Sequence, residues 1–216
     1  MKLELAFCKE SPRYCPMLTL LNRMGNSLFA KLGDKEEEQI ILPFNQVERR
    51  GDGLYYDTSE ETPYTGAIRR WRSEQEISDH VEFRNGVLHG SSIGWYPSGS
   101  ILSHHGHRPT KPRRQFEIHY VCGQKHGLES KWYFDGQASL HIEHKLGQKH
   151  GLQIQWFHNG QKRSEIEFED GCVCDGTWHR WHANGNLAAK DFYLNNRKVR
   201  RQMWHPDGEQ YVDTRY

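Results

Sequence analysis

Between residues 66 and 208 apolar and polar positions alternate with a period of two, the spacing that sends successive side chains to opposite faces of a β-strand. Leu152, Ile154 and Trp156 fall on one face, and Gln153, Gln155 and Phe157 on the other. In the segment that follows, Ser164, Ile166 and Phe168 oppose Arg163, Glu165 and Glu167. One period earlier Leu140 and Ile142 stand against His141 and Glu143. The alternation predicts strands rather than helices.

These strands recur in a fixed unit. Trp71, Trp95, Trp132, Trp156, Trp181 and Trp204 are separated by 24, 37, 24, 25 and 23 residues. Five of them follow a glycine five residues earlier (Gly66, Gly90, Gly127, Gly151, Gly176), and five precede one four residues later (Gly99, Gly136, Gly160, Gly185, Gly208). Chance does not place six of the seven tryptophans in one register between glycines. Each unit carries two turn signals. Asp135-Gly136, Asn159-Gly160, Asn184-Gly185 and Asp207-Gly208 are the dipeptides that type I′ hairpin turns favour, because both central residues need positive φ. A second series, Asn85-Gly86, Cys122-Gly123, Leu146-Gly147 and Asp170-Gly171, alternates with the first. Two turns per period leave room for two strands of about 5–6 residues. The unit is therefore a β-hairpin, and the chain is expected to be an all-β protein, an elongated antiparallel meander of stacked hairpins. With two strands per repeat about 4.8 Å apart, six repeats predict a sheet roughly 60 Å long.

The 37-residue gap holds 13 extra residues, placed near Ser103 to Arg114, where two prolines and Arg108, Lys111, Arg113 and Arg114 predict an exposed basic loop. Toward the carboxyl end the pattern decays: Asn196 replaces a second-series glycine, and Val199 stands where a glycine precedes the other tryptophans. Residues 1–45 lie outside the repeat and are expected to form a short cap of unassigned structure, with Met17 to Leu32 as the segment that covers the first sheet edge. Residues 46–216 form the repeat domain.

Composition narrows the function classes. The 29 Lys plus Arg balance 28 Asp plus Glu for a net charge of +1, so no global field draws nucleic acid or an anionic membrane. Mean hydropathy is −0.92, wet for a thick two-layer core, while 12% aromatic residues argue for an ordered chain. No apolar run approaches the length of a transmembrane helix. The first ten residues lack the uninterrupted apolar stretch of a secretory signal. The five cysteines (Cys8, Cys15, Cys122, Cys172, Cys174) are odd in number and form no Cys-x-x-Cys, which argues against a disulfide framework or a standard zinc pair. A reduced, cytoplasmic setting is the expectation.

The motif Gly-x-x-x-x-Trp-Tyr-x-x-Gly-Gln, with Gly127 to Gly136, Gly151 to Gly160 and Gly176 to Gly185 as its clearest instances, resembles the membrane occupation and recognition nexus (MORN) repeat in its bacterial variant. The lead-in Arg50 to Tyr56 with Thr62 to Gly66 looks like the start of bacterial proteins classed as antitoxins of toxin–antitoxin pairs. The resemblance spans about residues 50 to 208 and implies a protein-binding scaffold that sequesters a partner protein, a cognate toxin among the possible ones. The repeat's name implies the alternative, a peripheral membrane or lipid-surface module or an assembly scaffold.

The candidate interaction residues are the aromatic ladder Trp71, Trp95, Trp132, Trp156, Trp181 and Trp204 with the following Tyr96, Tyr133 and Phe157, and the basic loop Arg108, Lys111, Arg113 and Arg114. The ladder serves either a partner or cross-strand packing, since aromatics dominate both interface hot spots and cross-strand pairs. Four basic residues at about 1 kcal/mol each give weak, reversible membrane attachment at best. His89, His126 and His150 each precede a repeat glycine and read as turn-stabilising rather than metal-binding. Glu82, Glu143, Glu165 and Glu167 read as part of a solvated face. No phosphate loop, nucleophile elbow, metalloprotease motif or dinucleotide fingerprint occurs. The expectation is a non-enzyme without metal or cofactor that binds protein and not nucleic acid, of open oligomeric state.

Overall fold

The computed structural model describes residues 40–74, 76–98 and 113–216, which lie in the second of the chain's two units, Gln39–Tyr216. The cap expected over Met17 to Leu32 and most of the insertion, including Arg108 and Lys111, lie outside the described residues. A short strand β1 (Ile41–Pro43) leads through a 3-10 turn (Phe44–Gln46) to β2 (Val47–Arg49) and β3 (Tyr55–Asp57). The repeat strands follow: β4 (Gly66–Ser73), β5 (Glu76–Arg84), β6 (Val87–Trp95), β7 (Arg114–Val121), β8 (Gln124–Trp132), β9 (Ala138–Lys145) and β10 (Gln148–Trp156). The remainder are β11 (Lys162–Glu169), β12 (Cys172–Val173), β13 (Gly176–Trp181), β14 (Leu187–Leu194), β15 (Arg197–Trp204) and β16 (Gln210–Arg215). From β4 to β16 each strand pairs antiparallel with the next in one 14-stranded sheet, with β12 joined only to β11. The expected meander is what forms, and β1 adds one parallel contact at the β4 edge. A separate β2–β3 hairpin packs Val47 and Tyr55 against Tyr64, Ile68 and Phe83. Beyond Phe83 the only buried apolar residues among those described are Ile142, Ile166 and Ala189.

With so little buried apolar surface, cohesion between hairpins comes largely from the backbone. The second turn series is the one that adopts the two-residue, doubly left-handed form: Asn85, Cys122, Leu146 and Asp170 have φ of 46–49° and the glycines after them 74–83°. Such a turn leaves both of its central amides outside the ladder, and buried or crowded amides need acceptors. Here the preceding repeat supplies them. Gly86 N–H donates to the Tyr64 carbonyl, Gly123 to Leu88, Gly147 to Lys125 and Gly171 to Lys149, all at 2.7–2.8 Å. The first turn residue is caught by a side chain: Asn85 N–H by Thr65 Oγ1 (2.8 Å), Cys122 N–H by His89 Nδ1 (3.4 Å) and Leu146 N–H by His126 Nδ1 (3.5 Å).

This arrangement explains the His-Gly dipeptides. On β6, β8 and β10 the register advances four residues against two on the neighbouring strand, so each carries a wide bulge holding His89-Gly90, His126-Gly127 or His150-Gly151. The glycines take φ of 78–90°, and a Cβ on Gly151 would collide with the Glu143 carboxylate folded beneath it. Where Val199 replaces the glycine, the bulge shrinks to one extra residue.

The first turn series departs from expectation. Asp135, Asn159, Asn184 and Asp207 keep negative φ, and only the glycines after them (80–96°) are left-handed. These are three-residue loops, a tight turn followed by a glycine bulge, closed by pairs such as Gly136 N–H to Tyr133 O (2.9 Å) and Tyr133 N–H to Gln137 O (2.7 Å). The carboxylate or amide oxygen caps the amide two residues on, as in Asp135 Oδ1 accepting from Gln137 N–H (2.9 Å). Cys122 is half of a disulfide, although the cysteine count and spacing indicate no disulfide framework; Cys172 and Cys174 are free.

Candidate functional site

The register divides the sheet into two unlike faces. One carries Leu42, Ile68, Val81, Ile118, Ile142 and Ile166, interrupted by Ser92 on β6, Glu129 on β8, Gln153 on β10 and Asp191 on β14. Both carboxylates are buried and both are compensated. Glu129 accepts from Lys125 Nζ (2.6 Å) and His144 Nε2 (3.0 Å) and lies 3.2 Å from Lys131 Nζ. Asp191, 0% exposed, accepts two bonds from Arg201 (2.6 and 2.9 Å) and one from Arg180 (3.1 Å). Burial alone would raise both acids; the flanking cations outweigh it, leaving each below the usual carboxylate range and ionised. Burial holds His144 below the usual imidazole value despite Glu129, so it donates as a neutral ring. Trp178, the tryptophan outside the repeat register, lies opposite Asp191 on this face with its indole nitrogen buried and unpaired.

The opposite face carries the tryptophans. All six ladder residues occupy one structural position. Each sits near the end of its strand where the register slips by one residue, at Trp71, Trp95, Trp132, Trp156, Trp181 and Trp204, and the last four come just before a three-residue loop. They stand on alternate strands, β4, β6, β8, β10, β13 and β15, in one row. His141 meets the Trp156 ring edge-on at 4.8 Å, and His179 stacks on Trp181 at 5.7 Å. Trp71 (47%), Leu128 (43%) and Leu152 (37%) are among the exposed large apolar side chains of this face.

The residue after each tryptophan does something else. Tyr96 Oη donates to the Trp132 carbonyl (2.8 Å) and Tyr133 Oη to the Trp156 carbonyl (2.7 Å). Arg72 reaches the Trp95 carbonyl (3.0 Å), and His182 Nε2 lies 2.8 Å from the Trp204 carbonyl. Four of five positions thus tie one repeat to the loop of the next. Phe157 breaks the series because it has no hydroxyl; there Asn159 Nδ2 reaches the Ala183 carbonyl instead (2.6 Å). Arg72, His182 and Asn159 were not evident in the sequence as ties, since the residue type changes from repeat to repeat and only the position after the tryptophan is constant.

Of the basic loop, Arg113 donates to the Phe134 carbonyl (3.0 Å) with its guanidinium over the Phe134 ring, and Arg114 pairs with Glu117. A cleft of about 240 Å³ opens on the tryptophan face between β11 and β13, lined among others by Leu152, Glu165, Glu167, Cys174, Thr177 and His179. Its origin is in the sequence: five residues separate Gly171 from Gly176, against four from Gly147 to Gly151, and the extra residue splits the strand into β12 and β13. Burial, then Glu167, Glu169 and Asp175, push the Cys174 thiol up, which disfavours the thiolate needed for nucleophilic chemistry. No group of three or more metal-ligating side chains is found among the described residues, and none of their helices is long and apolar enough to cross a membrane.

A family model described as the MORN repeat variant matches residues 149–170 and 175–195, the hairpins built by β10–β11 and β13–β14. No curated protein matches the chain. Repeats of this family are non-enzymatic and generally bind proteins or membranes.

Two expectations follow. Tyr133→Phe removes a tie and costs about 1 kcal/mol of unfolding free energy, while Phe157→Tyr supplies the missing donor to Trp181 and adds about the same; urea denaturation measures both, and equal midpoints for all three proteins would contradict the role. The second concerns pH. Burial lowers His89, His126, His141, His144 and His179 below the ordinary imidazole value. The unfolded chain therefore takes up protons first, so stability is complete above about pH 6.5 and is lost as pH falls through that value. The urea midpoint drops between about pH 7.5 and about pH 5.5; a flat or rising profile would contradict it.

Proposed function

We propose that this chain is a non-catalytic scaffold that binds a polypeptide along its tryptophan face. The observation that supports this most directly is the asymmetry of the two faces. Charges on the isoleucine face are consumed in internal pairs at Glu129 and Asp191, while the opposite face keeps a row of indoles with Leu128 and Leu152 exposed beside them. Aromatic anchors on a prearranged surface give affinity at low ordering cost. The lining of the β11–β13 cleft, with a protonated thiol, fits recognition better than reaction.

The finer reading, antitoxin-type sequestration of a toxin protein, rests on the likeness of Arg50 to Tyr56 and Thr62 to Gly66 to such proteins, and adds that the partner is encoded beside this chain. The membrane-surface alternative has less support, because Arg113 and Arg114 are already engaged with Phe134 and Glu117.

The test uses Leu128→Glu with Leu152→Glu, two exposed positions whose change leaves the turn ties untouched. Affinity capture from the source cells with the unaltered chain and with the double variant is compared by mass spectrometry. A protein retained by the first and reduced about tenfold or more with the second is the expected outcome. Equal capture by both proteins, or retention of phospholipid vesicles in place of protein, would overturn the proposal.

A further inference from the structure

The chain holds three Asn-Gly dipeptides, Asn85-Gly86, Asn159-Gly160 and Asn184-Gly185, and the fold places them in two different settings. Asparagine followed by glycine is the pair most open to ring closure, because no Cβ hinders approach of the glycine nitrogen. In that reaction the glycine nitrogen attacks the asparagine Cγ. An N–C bond forms, the glycine amide proton passes to the side-chain amide, and ammonia leaves as the old Cγ–N bond breaks. Water then opens the cyclic imide at either carbonyl, giving aspartate or isoaspartate. Water is the one co-reactant, and nothing is oxidised or reduced.

Asn85 is exposed, but its glycine is buried. Gly86 N–H donates to the Tyr64 carbonyl, and the Gly86 carbonyl accepts from Tyr55 N–H, both at 2.8 Å. Leu54, Tyr55 and Pro63 crowd its α-carbon so closely that even a methyl group would collide. The Gly86 nitrogen is therefore freed only when the segments carrying Tyr55 and Tyr64 come away from the turn.

Asn159 and Asn184 sit in three-residue loops, and both they and their glycines are exposed. Gly160 N–H donates to the Phe157 carbonyl (3.0 Å) and Gly185 N–H to the His182 carbonyl (2.9 Å). Each of these bonds lies within one loop and opens without separating repeats. The attacked group is also prepared. Negative charge develops on Oδ1 as the nitrogen adds, and a backbone N–H already donates to that atom. The donor is Gln161 at Asn159 (3.1 Å) and Asn186 at Asn184 (3.0 Å). At Asn85 the same oxygen has a hydroxyl, Thr65 Oγ1, at 3.5 Å.

The two loops differ in what conversion removes. Asn159 Nδ2 donates to the Ala183 carbonyl (2.6 Å), the tie that stands in where Phe157 has no hydroxyl. A carboxylate cannot donate, so the product sets an anion against that carbonyl, and isoaspartate also adds a methylene to the loop backbone. The Asn184 tie to the Pro206 carbonyl (2.7 Å) is backed by Asn186 Nδ2 on the same oxygen (2.8 Å) and by His182 at the Trp204 carbonyl (2.8 Å).

We propose that Asn159 and Asn184 are sites of spontaneous deamidation in the folded chain, that Asn85 is protected, and that conversion at Asn159 unfastens the β10–β11 hairpin from the loop after β13. This inference is independent of what the tryptophan face binds.

The experiment incubates the full chain at mildly alkaline pH, folded and in urea. Each asparagine is followed by peptide mass spectrometry with isoaspartyl methyltransferase labelling. In the folded chain Asn159 and Asn184 convert at least about tenfold faster than Asn85, and urea abolishes the difference. Asn159→Asp lowers the urea midpoint of unfolding, and Asn184→Asp lowers it less. Equal rates at the three sites in the folded protein overturn the proposal, as does conversion of Asn159 and Asn184 confined to urea. An Asn159→Asp midpoint equal to that of the unaltered chain, or no lower than that of Asn184→Asp, overturns the consequence assigned to Asn159.

Discussion

The tight turns at Asn85-Gly86, Cys122-Gly123, Leu146-Gly147 and Asp170-Gly171 each leave a glycine amide that cannot be satisfied from within the hairpin, and the preceding repeat accepts it. That constraint organises the repeat. It requires an exposed carbonyl one repeat back, provided at Tyr64, Leu88, Lys125 and Lys149, and a side-chain acceptor beside it, provided by Thr65, His89 and His126. To bring an imidazole over the next turn the strand must bulge, and the bulge demands a left-handed residue, hence glycine after histidine. A second line of ties, from the residue after each tryptophan to the next tryptophan's carbonyl, does the same at the other end of the strands. With seven buried apolar side chains among the described residues, hydrophobic burial is too thin to hold the strands alone, and stability accumulates between neighbouring units as in other repeat arrays.

The two faces follow from the same economy. The carboxylates Glu129 and Asp191 on the isoleucine face are close to cations on their own and adjacent strands and are locked by them. The tryptophans sit at the bulges near the strand ends; Trp71 is exposed, His141 meets Trp156 edge-on, and Trp181 has His179 stacked on it and Lys162 over its ring. Under the proposed reading the surface is a property of the repeat, because each unit adds one more indole to the same row.

Much of this was legible in the sequence. The alternation around Leu152 to Phe168 gives the strands and their faces, and the tryptophan register gives the row, because both depend on local spacing alone. The class of the first turn was misread: Asn-Gly and Asp-Gly fit a doubly left-handed turn equally well, and only the closing bond from Gly136 to Tyr133 distinguishes a three-residue loop. Glu129 and Asp191 do not stand out in the sequence, because their partners His144, Arg180 and Arg201 are assigned by cross-strand register, which one strand's pattern does not fix. The extra residue between Gly171 and Gly176 is visible as a count, yet its effect, a split strand and a cleft, depends on the ladder that it interrupts.

The most direct test of this account is native-state hydrogen exchange at the turn glycines Gly86, Gly123, Gly147 and Gly171. In a free two-residue turn these amides face water and exchange rapidly. If the preceding repeat accepts them, they exchange as slowly as amides in the middle of the flanking strands, because both open only when neighbouring repeats separate. Exchange at the rate of exposed loop amides, with the strands still protected, would show that the hairpins are not tied through their turns and would contradict the account.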